Sequence, residues 1–193
     1  MTNEFDVQTL FQALQSEDWD SRCQAVKALA DHKNREQVVE HLVGLLQHPE
    51  GGMRWAAARI MAEIGPAWIG DIKPLLHALT DPDENVRMAV IETLGEFRDS
   101  RAAEALLQGI GDHHSGVRCR IVQALAKIGD ERVAGALIPL LTDTDSDVRL
   151  LTVQTLGQLK NRVVLDDLKA VLSDPDRSVR WAAAQAIQDI KIG

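Results

Sequence analysis

Tyrosine is absent from this 193-residue sequence, and three phenylalanines and four tryptophans bring the aromatic share to only 4%. Sheet cores draw on aromatic and β-branched residues. Here the 45% hydrophobic content rests mainly on Ala, Leu, Val and Ile, which suits close helix packing. Cys23 and Cys119 are the two cysteines, too few for the disulfide framework of a small secreted domain. No run approaches the roughly 18 apolar residues that read as a membrane-spanning helix. The opening MTNEFDVQTL has neither the charged n-region nor the apolar h-region of a secretory leader. A cytoplasmic location is therefore expected.

An excess of basic charge is also missing. Lys and Arg total 21 against 29 Asp and Glu, a net charge of −8. Binding nucleic acid through a general electrostatic footprint needs a basic face, so that partner is disfavoured. No Gly-rich phosphate loop and no nucleophile motif around Ser or Cys occurs. The sequence predicts no catalytic residue and no cofactor.

What the sequence does contain is an internal repeat. The dipeptide Val-Arg follows an acidic turn at Val86-Arg87, Val117-Arg118, Val148-Arg149 and Val179-Arg180, and Met53-Arg54 and Ser21-Arg22 fill the same slot. The six arginines are 32, 33, 31, 31 and 31 residues apart. Twelve residues before them stand Leu10, Leu42, Leu75, Leu106, Leu137 and Leu168; eight before stand Leu14, Leu46, Leu79, Ile110, Leu141 and Leu172. An i, i+4 pair shares one helix face, which defines a first helix, A. Seven residues after each arginine come Leu29, Met61, Leu94, Leu125, Leu156 and Ile187 on a second helix, B. The next column is small (Ala30, Ala62, Gly95, Ala126, Gly157) except at Gln188, which allows close helix approach.

Each unit thus reads as helix A, an acidic turn that caps helix B, helix B, and a connector. In Ile128-Gly129-Asp130 the glycine stands where a helix C-terminus favours a left-handed residue. The Gly65–Gly70 segment with Pro66 lengthens one connector and accounts for the spacing of 33. Pro139, inside helix A of repeat five, is expected to kink it. The predicted architecture is all-α: a right-handed α-solenoid, or α-α superhelix, of six helical hairpins. The chain reads as one domain, 1–193, with repeats at about 7–34, 35–67, 68–99, 100–130, 131–160 and 161–193.

Segments such as LLHALTDPDENVRMAVIETLG and GDERVAGALIPLLTD resemble the short HEAT-like repeats of the phycobilisome-lyase (PBS-lyase) type. The resemblance covers nearly the whole chain and departs in repeat one, where Ser21 replaces the valine and Trp19 enters the turn. It implies the solenoid fold, but such repeats serve many roles. Tetratricopeptide and ankyrin signatures are absent.

Several features have a structural reading beside a functional one. Acidic residues recur six and four positions before the arginines, as in Asp81 and Asp83, Asp143 and Asp145, and Asp174 and Asp176. This pattern predicts an Arg–carboxylate ladder between successive repeats, built on bidentate hydrogen bonds, in preference to an anion-binding stripe. Asp143-Thr-Asp145-Ser-Asp147 imitates the start of a calcium loop, but Val148 and Gln154 stand where Gly and Glu are required. His48, His113 and His114 lie in turns, and the His-Glu dipeptides of HEAT-type di-iron hydroxylases are missing. No metal site is predicted. Cys23 and Cys119 occupy equivalent positions three repeats apart, too far for a disulfide at about 8–10 Å per helix layer.

At 100° per residue, the positions −1, +3, +6, +7 and +10 from each arginine gather on one side of helix B. The positions +1, +2, +5 and +9 fall opposite and are expected to form the open, concave face of a stacked array. Position +1 holds Cys23, Trp55, Met88, Cys119, Leu150 and Trp181; position +5 includes Arg59, Glu92, Gln123, Gln154 and Gln185; Arg120 stands at +2. Trp, Met and Arg are enriched at interface cores. The predicted partner-binding set is therefore Trp55, Arg59, Met88, Glu92, Cys119, Arg120, Gln123, Leu150, Gln154, Trp181 and Gln185. The alternative is that position +1 packs on the next repeat.

The expected function is that of a non-catalytic scaffold or adaptor holding a protein or an extended peptide along this face. A second reading, implied by the resemblance, is a subunit or relative of a phycobilin lyase that handles a tetrapyrrole chromophore. A DNA-binding HEAT module is a third, against which the acidic balance speaks. No membrane partner is predicted. The terminal repeats lack an evident polar cap, so their ends offer docking surfaces for a second copy.

Overall fold

Each repeat folds as the pair of helices its columns predict. The structure, a computed structural model, describes residues 7–14, 16 and 18–192; the side chains of Trp19, Asp20, Arg22 and Cys23, which carry part of the first repeat's pattern, lie outside the described residues. Hairpin 1 pairs α1 (Val7–Ala13) with α2 (Trp19–Ala30), and hairpin 2 pairs α3 (Arg35–Leu45) with α4 (Gly51–Ile64). Hairpin 3 sets the short α5 (Pro66–Ile69) and α6 (Lys73–Ala78) before α7 (Glu84–Phe97). Hairpin 4 pairs α8 (Ala103–Gln108) with α9 (Ser115–Ile128), hairpin 5 pairs α10 (Ala134–Leu137) with α11 (Ser146–Leu159), and hairpin 6 pairs α12 (Leu165–Ala170) with α13 (Arg177–Ile192). No strand occurs among the described residues, and none of the described helices is long and apolar enough to cross a membrane. The fold is an all-α solenoid.

The hairpins group into two units, Met1–Phe97 and Arg98–Gly193, of three hairpins each. In the first, α4 packs along both α2 and α7; in the second, α11 packs between α9 and α13. The periodic leucine columns supply the core. Leu29, Leu42, Ile60, Met61, Leu75 and Leu94 are buried in the first unit, and Leu106, Leu125, Leu137 and Leu156 in the second. The small column acts as expected at Gly157, where an added Cβ would lie 2.9 Å from Ala186 Cβ and 3.1 Å from its Cα. A buried threonine adds a polar tie, Thr93 Oγ1 donating to Ala58 O at 3.0 Å.

Helix B is regular, but helix A is not. The expected kink at Pro139 is instead a change of helix type: α10 ends at Leu137 and a 3-10 segment, Ile138–Thr142, follows with Pro139 in its first turn. Hairpin 6 makes the same change over Val171–Ser173 without a proline, so the tighter winding belongs to the repeat and proline fits into it. Gly129 closes α9 in the left-handed conformation, φ 71°, with its N–H donating to Leu125 O. Lys160 takes the equivalent place after α11 at φ 51°.

The turns carry the ladder, and the two acidic positions divide its work. The aspartate six residues before an arginine receives the arginine of the preceding hairpin. Arg54 grips Asp81 through Nε and Nη2 at 2.6 and 2.8 Å, Arg118 grips Asp143 at 2.7 and 2.7 Å, and Arg149 grips Asp174 at 2.8 and 3.0 Å. The remaining Nη1 ties the arginine to its own turn, donating to His48 O in Arg54, Asp112 O in Arg118 and Asp143 O in Arg149. The aspartate four residues before an arginine caps helix B: Asp83 accepts from Asn85 N, Asp145 from Asp147 N and Asp176 from Ser178 N. Asp143 and Asp145, the residues that imitate a calcium loop, are engaged in these two roles.

Candidate functional site

Helix B is buried over a wider arc than a one-sided helical wheel predicts, because it meets its own helix A and the helix B of neighbouring hairpins. Position +2 illustrates the correction. Ala56, Ala89 and Ala182 are buried and Leu151 is half-buried, so in four hairpins this column is packed and does not belong to the open face; Gln24 and Arg120 are exposed there. Position +4 is buried at Ala58, Ile91, Val122 and Val153, half-buried at Val26 and exposed at Ala184. Positions +1, +5 and +9 are exposed or half-buried wherever they are described, and form a stripe.

In the first unit this stripe begins beside a cleft of about 1040 Å³ lined by Val26, Lys27, Met53, Trp55, Arg59 and Glu63, among others. Trp55 and Met88 are half-buried. Arg59 and Glu92, one repeat apart, form an ion pair at 3.1 Å with about a third of each side chain accessible. Glu63 and Glu96 are exposed. The stripe here is therefore apolar along one edge and charged along the other.

In the second unit Cys119 and Leu150 are half-buried, Gln123 is half-buried, and Gln154 and Gln185 are exposed. Arg120 donates to Gln123 Oε1 at 3.3 Å. Trp181 is 67% exposed and borders a cleft of about 860 Å³ with Gln154, Gln158, Lys160, Gln185 and Asp189. A smaller cleft of about 390 Å³ lies between α9 and α11, against Gln123, Lys127 and Gln158. Lys160 and Ile192 join the Trp181 cleft although the sequence reading did not select them. Lys160 follows the end of α11 in a left-handed turn, where helical periodicity no longer places side chains.

The electrostatics separate framework from stripe. Hydrogen bonds to Asp143 hold the Arg118 guanidinium above its ordinary range, and Asp81 and Asp174 do the same for Arg54 and Arg149. Burial pushes the Asp143 and Asp81 carboxyls up, but their arginine bonds and turn amides outweigh it, leaving both below the usual carboxylate range. The Arg149 bonds lower Asp174 likewise. Cys119 is a free thiol. Burial, followed by the nearby Asp145 and Asp147 carboxylates, pushes it upward, which disfavours the thiolate a nucleophile needs. His113 and His114 are exposed with ring centroids 6.1 Å apart. Among the described residues no group of three or more His, Cys, Asp or Glu is placed to hold a metal ion.

Comparison with curated proteins finds no match. Solved structures share the fold. YibA of Escherichia coli superposes with a TM-score of 0.75 at 19% identity, over 98% of this chain and 74% of that one. The complex of CpcE and CpcF of phycocyanin lyase from Nostoc sp. PCC7120 matches with a TM-score of 0.62 at 22% identity, over 95% and 76%. A designed armadillo repeat protein in complex with the peptide (KR)4 matches with a TM-score of 0.63 at 19% identity, over 96% and 100%. The family model for HEAT repeats matches residues 7–67, 72–152 and 135–192. With that coverage, the chain belongs to the HEAT-repeat family.

Proposed function

We propose that this HEAT-repeat protein is a non-catalytic binding scaffold of the cytoplasm that holds a protein or an extended peptide on the helix-B stripe. The observation that carries this reading is selective accessibility. The +1, +5 and +9 positions of helix B stay open in every hairpin where they are described, beside buried core columns, and they place Trp55 with Arg59 in one unit and Trp181 with Gln185 in the other beside sizeable clefts. Aromatic anchors flanked by hydrogen-bonding amides and mixed charge are the composition of a protein interface core and its rim. A designed repeat protein of similar fold is solved with a bound peptide, which supports peptide recognition as a use of this architecture.

Tetrapyrrole handling is the second reading, supported by likeness in fold to the phycocyanin lyase complex. The raised Cys119 thiol weighs against a covalent role for that residue.

The test is affinity capture from the native host with immobilised wild type and with Trp55→Ala/Trp181→Ala. The expected result is a set of proteins retained by the wild type and lost from the variant, while Trp181→Ala alone shifts stability by no more than about 0.5 kcal/mol, the usual range for surface changes. An unchanged retained set, or unfolding of Trp181→Ala, refutes the reading.

A further inference from the structure

The cleft of about 1040 Å³ in the first unit has both of its walls within this chain: α2 supplies Val26, Lys27 and Asp31, and α4 supplies Trp55, Arg59 and Glu63. It follows two neighbouring helices B. Its floor is apolar, with Leu14 and Met53 buried and Val26 and Trp55 half-buried. At one end Asp31 and Glu63 hold the equivalent position, nine residues after Arg22 and Arg54, on opposite walls. Both are exposed, and no hydrogen bond or ion pair engages either carboxylate among the described residues.

These two acids stand against the local electrostatics. Asp31 caps the C-terminus of α2, and Glu63 lies in the last turn of α4, which has no basic residue there. A helix C-terminus carries partial negative charge and favours a cation, so both carboxylates add to charge of their own sign. The base one turn before Glu63, Arg59, is engaged by Glu92 at 3.1 Å. That leaves Lys27 as the cleft's one lysine or arginine outside an ion pair among the described residues. Glu50, at the other end of the cleft, precedes the N-terminus of α4, where the dipole suits a carboxylate. A cation from outside is drawn to the Asp31–Glu63 end.

We propose that this cleft takes an extended peptide segment bearing an apolar side chain and, three or four residues away, a lysine or arginine. The apolar group packs on Trp55 and Met53, and the cation enters between Asp31 and Glu63, donating a charge-assisted hydrogen bond to each. The spacing follows from α4. Trp55 and Glu63 are eight residues apart on it, about 12 Å at 1.5 Å per residue. An extended chain at about 3.3 Å per residue covers that in roughly three to four residues. The inference rests on the helix-B stripe as the binding surface and names the chemistry of its occupant in the first unit.

The experiment pans a random peptide library displayed on phage against the immobilised full chain and keeps the clones that Trp55→Ala no longer retains. These are expected to share an apolar residue three or four positions from a lysine or arginine. One such peptide, synthesised and titrated by calorimetry, is expected to bind Asp31→Asn/Glu63→Gln at least tenfold more weakly than wild type and Glu50→Gln within twofold of it. Replacing the peptide's own lysine or arginine with norleucine is expected to cost at least tenfold too, and it leaves the protein untouched, so the conclusion does not depend on how the variants fold. Glu63→Gln is expected to melt at or above the wild-type temperature, because it takes charge from the negative end of α4; a lower melting point gives Glu63 a framework role and overturns the proposal. Clones that need Trp55 but share no basic residue, or that bind Asp31→Asn/Glu63→Gln as they bind wild type, overturn it and leave the stripe standing as a binding surface. No clone that depends on Trp55 overturns it as well, while protein capture from the host tests the stripe separately.

Discussion

Replacing Asp143 with Asn takes one charge out of the ladder with little change in shape. In the wild type, Arg118 and Asp143 meet through two bonds of 2.7 Å with only 11% and 7% of their side chains accessible. Asparagine keeps the oxygen that accepts Asp145 N at 2.9 Å, so the turn persists. The guanidinium keeps its bond to Asp112 O at 2.7 Å but loses its counter-charge and faces an amide donor in place of one acceptor. A hydrogen bond to a charged group contributes about 1.5–3 kcal/mol, and removing one partner of a buried pair costs about 3–5 kcal/mol. Because Asn retains one acceptor, the expected loss is about 2–3 kcal/mol, a melting shift of roughly 4–12 °C for a chain of this size. Urea and thermal unfolding followed by circular dichroism measure it. Asp166→Asn is the control: its 2.7 Å pair with Lys169 lies in solvent, and exposed pairs contribute little. Arg118→Met with Asp143→Leu is expected to recover part of the loss, since both charges leave together. A loss below about 0.5 kcal/mol for Asp143→Asn, or an equal loss for Asp166→Asn, refutes the reasoning.

Two further outcomes follow from the same packing. The carboxyls of Asp81, Asp143 and Asp174 are lower in the folded chain than when unfolded, so their stabilisation is fully present above the unfolded value of about 3.9. It is lost as pH falls through the folded values, because the unfolded chain takes up protons first; urea midpoints at pH 5 and pH 3 check this, and a midpoint no lower at pH 3 contradicts it. Gly157→Ala gains about 1 kcal/mol of helix propensity but drives a methyl into the Ala186 backbone, where overpacking costs about 1–3 kcal/mol. A net loss of about 1 kcal/mol is expected, and a stabilised variant contradicts the close approach of α11 and α13.

Most of the framework was legible because it repeats. The Leu10-to-Leu168 and Leu29-to-Ile187 columns, the Asp81, Asp143 and Asp174 partners, and Gly129 each follow from a local rule applied in register. What was not legible depends on neighbours. Position +2 was assigned to the open face because a wheel opposes one core direction, whereas a stacked helix B is covered from several sides, and Ala56, Ala89 and Ala182 are small enough to sit there. The 3-10 winding over Ile138–Thr142 and Val171–Ser173 is not announced by the leucine that both share, Leu141 and Leu172, because Leu46 and Leu79 hold the same position in hairpins without it. Lys160 adopts the left-handed turn that sequence rules reserve for glycine. The stripe residues were identifiable by periodicity, but how open each one is depends on the hairpin beside it, as the contrast of Leu150 with Trp181 shows.

Hydroxyl-radical footprinting of the intact chain tests the central claim, a helix-B stripe that stays accessible beside buried core columns, residue by residue. Oxidation is expected at Trp181 most strongly, then at Trp55, Met88 and Leu150, with Met61, Leu94, Leu125 and Leu156 protected. Oxidation of Met61 or Leu94 at the rate of Met88 would contradict it.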